Sequence, residues 1–187
     1  MKEVKVGVVV GSLRKDSYNL MAANALISVA PRNLKFEFIE IGNLELYNQD
    51  YDEKSPESYV AFREKVKSMD AILFVTPEYN RSVPGVLKNA IDIASRPWGQ
   101  SVWGGKPAAI MSVTIGNVGA FGANHHLRQA LMFLDMAVLA QPEAYISNAM
   151  SLFDASGKLV NEDTKAFFTN FMKAFADFID YANQGLN

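Results

Sequence analysis

The side chains of this sequence most suited to chemistry lie together in Gly11-Ser12-Leu13-Arg14-Lys15-Asp16-Ser17-Tyr18-Asn19. Ser12, Ser17 and Asn19 can donate hydrogen bonds, and the Arg14 guanidinium can grip two oxygens of one phosphate. The segment follows the apolar run from Val4 to Val10 and opens a helical pattern that reaches Val29. A helix N-terminus adds unpaired N–H groups and the positive end of its dipole, so the segment has the make-up of an anion site. Capping alone would explain the serines and the asparagine, but it leaves Arg14 without a purpose.

The glycine count narrows the anion. Gly11 is the one glycine of this loop, whereas a dinucleotide fingerprint needs G-x-G-x-x-G and a triphosphate loop needs G-x-x-x-x-G-K-[ST]. Side chains must therefore do the wrapping, which suits a terminal phosphomonoester with several free oxygens. Asp16 is a poor neighbour for a dianion; its place is in solvent or at the helix cap beside Ser17.

The elements that must position this loop alternate along the whole chain. Lys35 to Ile41 alternates in polarity as a strand does. Glu57 to Met69 has the spacing of a surface helix, and Asp70 to Thr76 is a near-continuous apolar strand of the kind covered on both faces. Pro84 starts a helix over Gly85 to Ser95. Pro107 to Thr114 reads as a buried strand, Asn124 to Asp135 as a helix, and Ala137 to Ala140 as a strand continuing beyond Pro142. A turn at Asp154 to Gly157 precedes a last helix, Asp163 to Ala182, whose Phe167, Phe168, Phe171, Met172, Phe175, Phe178 and Ile179 form a stripe for core packing. Five strands alternating with helices predict an α/β fold, a doubly wound parallel sheet of order 2-1-3-4-5 with helices on both faces. Ligands bind such sheets beyond the strand carboxyl ends, where the order reverses, so the loops after Val10 and Thr76 should meet at one site.

Bulk properties set the outer limits. The 187 residues suit a single domain over 1–187, and 49% apolar with 20% charged residues is ordinary for a globular chain. A net charge of −2 gives no electrostatic case for nucleic acid or a membrane surface. The absence of cysteine removes disulfides, thiolate metal sites and cysteine nucleophiles. With no signal-peptide pattern and no apolar run near ~18 residues, the expected location is cytoplasmic. His125 and His126 lack acidic or cysteine companions at metal-ligand spacing, so no metal site is expected there.

The second loop runs Thr76-Pro77-Glu78-Tyr79-Asn80-Arg81-Ser82-Val83-Pro84-Gly85-Val86-Leu87-Lys88-Asn89-Ala90-Ile91-Asp92. P-E-Y-N followed by S-V-P-G-x-L-K-N-x-I-D, together with G-S-L-R-K-x-S-x-N after the first strand, resembles the NAD(P)H-dependent FMN reductases of flavodoxin-like fold. The chromate- and quinone-reducing branch is the nearest in pattern. The resemblance runs in order from the first strand through His126-Leu127-Arg128-Gln129.

It implies that Ser12, Arg14, Ser17, Tyr18 and Asn19 bind the FMN phosphate and ribityl chain. It further implies that Pro77, Glu78, Tyr79 and Asn80 hold the isoalloxazine ring, with a hydroxyl at Thr114 touching the flavin. Tyr79 and Asn80 are of the right types for a flat wall and an amide partner. Glu78 has a second reading as partner to a basic residue of the loop. Arg81 would meet NAD(P)H phosphates or an anionic acceptor, or else form a salt bridge across a subunit interface. Where relatives carry Gly-Gly-x-Arg, this chain has Ala120-Phe121-Gly122-Ala123, so a contact made by that arginine is missing.

The resemblance also implies a homodimer or homotetramer, and Trp98 and Trp103 are expected to cover a partner subunit. The implied activity passes hydride from NADH or NADPH through FMN to a small acceptor by a ping-pong mechanism, with no catalytic side chain. Quinones, free flavin, azo and nitro compounds and chromate all qualify as acceptors. The competing class, a flavodoxin-type electron carrier docking with redox proteins, usually relies on a strongly acidic surface that −2 does not supply.

Overall fold

The structure is a computed structural model and describes residues 3–184. Its strands are β1 (Val4–Val10), β2 (Leu34–Phe38), β3 (Ala71–Thr76), β4 (Pro107–Val113), β5 (Ala137–Val138) and β6 (Ala144–Ile146). Its helices are α1 (Tyr18–Val29), α2 (Glu57–Lys67), α3 (Gly85–Ala94), α4 (Phe121–Phe133) and α5 (Glu162–Gln184). The sheet runs β2-β1-β3-β4-β5 with every pairing parallel, the order expected from the alternation of elements.

Residue alternation in the central strands sends side chains to two separate cores. Val4, Val6 and Val8 of β1, Leu73 and Val75 of β3, and Met111 and Val113 of β4 pack under α1 and α5. Phe168, Phe171, Met172, Phe175 and Ile179 of α5 belong to that core, so the aromatic stripe is packing. Val9, Ile72, Phe74 and Ile110 face the other way, under α2, α3 and α4. No residue of β3 or β4 is left exposed, which is why both strands read as unbroken apolar runs.

Two expectations are corrected. The strand after residue 136 is not continuous: β5 and β6 each pair with β4, and the segment between them contains Pro142, which has no N–H to offer a ladder. Trp103 does not cover a partner. It is fully buried in the second core beside Phe62 and Phe74, and its indole N–H donates to the Ile91 carbonyl at 3.0 Å. Trp98 is 79% exposed.

The long connection from β2 to α2 is held without strands. Asn89 of α3 accepts from the Tyr47 N–H at 2.8 Å and donates to the Glu45 carbonyl at 3.0 Å, splicing the loop to the helix like a strand partner. Arg96 closes the far end of that loop on Asp52. Among the described residues no helix is long and apolar enough to cross a membrane.

Trp103→Ala should cost about 3–5 kcal/mol, the usual penalty for deleting a buried large aromatic. Urea unfolding would show it as a lower midpoint at unchanged slope; an unaltered midpoint would contradict the buried placement.

Candidate functional site

Three strands end at one edge of the sheet, with Val10 beside Val75 and Thr76 beside Ser112. The loops after them are therefore brought together. The Gly11 N–H donates to the Val75 carbonyl at 2.8 Å, and a Cβ at position 11 would lie 2.8 Å from Thr76 Oγ1. Glycine fits here because the Thr76 and Leu87 side chains leave no room for a Cβ unless they shift.

The first loop is organised around the start of α1. Ser17 is the N-cap, its Oγ accepting from the Asn19 N–H at 3.2 Å. Asn19 is buried and reaches across to β4, donating from Nδ2 to the Val113 carbonyl at 3.4 Å. Its Oδ1 has no hydrogen-bond partner among the described residues. A buried acceptor without a donor is costly, and a water or a ligand hydroxyl or N–H could satisfy it here. Ser12 Oγ lies 3.4 Å from the Arg14 N–H.

The Arg14 guanidinium sits 5.3 Å from the centre of the Tyr18 ring, and Tyr18 in turn leans on Phe153 at 6.2 Å. Arg14 forms no ion pair among the described residues, so its charge is uncommitted. Asp16 is exposed and leaves the cap to Ser17.

The second loop is a tight reversal. Tyr79 and Ser82 exchange main-chain hydrogen bonds at 2.9 and 3.0 Å, and Asn80 and Arg81 between them have φ of 52° and 64°. Positive φ at both central residues is the type I′ geometry, which asparagine tolerates and arginine resists. The Tyr79 side chain is 53% exposed at the rim. Pro77 is half-buried, and the Thr76 hydroxyl donates to its carbonyl at 2.9 Å.

Glu78 takes its partner from the same loop. Its Oε1 accepts from Arg81 Nη1 at 2.7 Å, and its Oε2 accepts from the Ala123 N–H at 3.1 Å. Arg81 is thereby paired inside its own loop.

The third loop, after β4, carries Thr114, whose Oγ1 accepts from the Gly116 N–H at 3.2 Å. Ile115, Val118 and Phe121 around it are exposed. Behind it lies a buried polar chain that the sequence did not single out. Ser112 donates to the Gly119 carbonyl at 2.6 Å, Asn124 donates to Ser112 at 3.2 Å, and Arg128 donates to Asn124 Oδ1 at 3.0 Å. This chain ties the loop to α4. The histidines are exposed and hydrogen-bonded, His126 to Ser82 and His125 to Tyr145, each at 3.0 Å. No cluster among the described residues could hold a metal ion.

The signature of NADPH-dependent FMN reductases matches residues 4–151, which spans the three loops and β1 through β6. A quinone reductase from Pseudomonas putida is 57% identical over 175 residues, covering 93% of this chain and 94% of that protein. A 2-hydroxy-1,4-benzoquinone reductase from a Burkholderia species is 51% identical over 176 residues, covering 94% and 96%. Among solved structures, the flavoenzyme NAD(P)H:(acceptor) oxidoreductase FerB from Paracoccus denitrificans superposes with a TM-score of 0.90 at 41% identity, covering 96% of this chain and 98% of that one. Matched by signature and by sequence along nearly all its length, the chain belongs to the NADPH-dependent FMN reductase family and is an FMN-dependent NAD(P)H oxidoreductase.

Proposed function

We propose that this enzyme reduces quinones, with FMN held where the ends of β1, β3 and β4 converge. The observation that carries the proposal is the abutment of the first two loops at Gly11 and Thr76, one rich in anion-binding groups and the other presenting a flat aromatic rim. Ser12, Arg14, Ser17, Tyr18 and Asn19 hold the phosphate and ribityl chain. Arg14 and the first-turn amides of α1 supply positive partners, and the bare Asn19 Oδ1 accepts from a hydroxyl of the polyol. Pro77, Tyr79 and Asn80 line the ring, and Thr114 adds a hydroxyl. Glu78 contributes through its main chain, since both carboxylate oxygens are engaged.

Bound FMN supplies hydride acceptance from a nicotinamide and two-electron delivery to an acceptor. The protein holds and orients that group and leaves one face open, so donor and acceptor use the same place in turn. No side chain acts as nucleophile. The exposed Tyr79, Ile115, Val118 and Phe121 suit a flat, uncharged acceptor. The names of the quinone-reducing relatives support the same choice.

The proposal extends to a homo-oligomer. A groove of about 840 Å³ runs between α3 and α4, lined by Val83, Ile91, Leu127 and Phe133. Phe133 and its neighbour Met132 are 80% and 70% exposed, a costly arrangement unless a second copy covers them.

Anaerobic stopped-flow mixing of the FMN-loaded enzyme with NADPH or NADH should bleach the flavin rapidly and with saturation, and steady-state quinone reduction should give parallel double-reciprocal lines. Slow bleaching would instead favour the electron carrier. Arg14→Ala should weaken FMN binding by about 1.5–3 kcal/mol while hardly touching riboflavin, the signature of a lost charge-assisted phosphate contact. Equal losses for both ligands in calorimetry would remove Arg14 from the phosphate. Phe133→Glu should shift the sedimentation coefficient to that of a monomer; an unchanged coefficient would rule out the α3–α4 groove as the interface.

A further inference from the structure

Glu78 stands at the rim of the site, yet its side chain is only 10% exposed. Its two oxygens serve different elements, one bonded to Arg81 and the other to the first turn of α4. That helix needs an outside acceptor. Its N-cap, Ala120, has φ 56° and no side-chain hydrogen bond to give. A carboxylate 45 residues away in sequence takes the part usually played by a serine or aspartate at the cap itself.

The approach is close. A Cβ on Gly122 would lie 2.8 Å from the Arg81 carbonyl oxygen and 2.9 Å from Glu78 Oε2, so only glycine lets the turn rest on the helix. The ion pair also holds Arg81 in a left-handed conformation that a non-glycine residue adopts at a cost. The hydrogen bond between Ser82 and His126 ties the other end of the turn to the same helix.

We propose that Glu78 is a positioning and charge-balancing residue for the flavin. It sets the 79–82 turn against α4, and Arg81 with the helix N-terminus cancels its charge beside the ring. The proposal rests on the reading that Tyr79 and Asn80 seat that ring. A bare carboxylate next to a group gaining electrons opposes reduction, whereas a bare guanidinium favours it. With both present, neither field dominates.

The test is the midpoint potential and dissociation constant of bound FMN in Glu78→Gln, Arg81→Met, the double variant and Tyr79→Ala. The potential should rise in Glu78→Gln, fall in Arg81→Met and return toward wild type in the double variant. FMN binding should weaken about tenfold in Glu78→Gln through the loosened turn. A brace without electrostatic influence would move both single variants the same way or not at all, and would overturn the proposal. If Tyr79→Ala changes neither affinity nor potential, the ring is seated elsewhere and the underlying reading fails with it. If Tyr79→Ala changes them while the charge variants do not, only the role of Glu78 falls. The Arg81 side chain is 74% exposed, so Arg81→Met keeps the fold; should Glu78→Gln fail to fold, an unchanged or raised potential in Arg81→Met overturns the proposal.

Discussion

Position 11 has no side chain, and the geometry of the whole site follows from that. The ends of β1 and β3 are neighbours in the sheet, so their loops leave from points one strand spacing apart. A methyl group on residue 11 would meet Thr76 Oγ1 at 2.8 Å and Leu87 Cδ2 at 3.2 Å. The Thr76 and Leu87 side chains would have to give way, loosening the contact that sets the two loops side by side. The same closeness lets a single Asn19 amide reach from α1 to the end of β4. Three separate loops thus share one rigid floor.

That floor is rigid because both faces of the sheet are filled. Trp103, Phe74 and Phe62 pack on one side, and the phenylalanines of α5 on the other. Close-packed cores of this kind fix strand ends well, while the loops beyond them depend on their own hydrogen bonds. Here those bonds are supplied from α4. Glu78 and Ser82 bind its first two turns, and the Ser112–Asn124–Arg128 chain binds the loop after β4 to its inner face. One helix therefore governs two walls of the site.

Local pattern explains what could be foreseen. The apolar runs of β1, β3 and β4 and the hydroxyl-rich loop after Val10 are contiguous in sequence, so the strand order and the meeting of both loops were legible there. The break between β5 and β6 depends on what β4 offers as a partner, which no window of residues reveals. Trp103 misled for a related reason: a tryptophan among glycines looks like surface, but its indole N–H finds a carbonyl twelve residues back in α3. The tertiary cap was the least visible feature. Ala120-Phe121-Gly122-Ala123 contains no capping residue, and the missing acceptor arrives from Glu78 in another loop. Gly122 was the available signal, since a glycine in a first helical turn often marks another chain passing close.

The stacking of Arg14 on Tyr18 has a further consequence. Arginine carries one of the largest rotamer entropies of any side chain, and immobilising such a group costs roughly 0.5–1.5 kcal/mol at the moment of association. Tyr18 is the first residue of α1 and itself leans on Phe153, so the fold biases the guanidinium toward one place. Part of that disorder is lost when the chain folds rather than when an anion arrives. An aromatic face also leaves the in-plane N–H groups unspent, which a carboxylate partner would not. A ligand engaging Arg14 thus meets a fork already biased toward one place, and the benefit appears in how long it stays rather than in how quickly it comes.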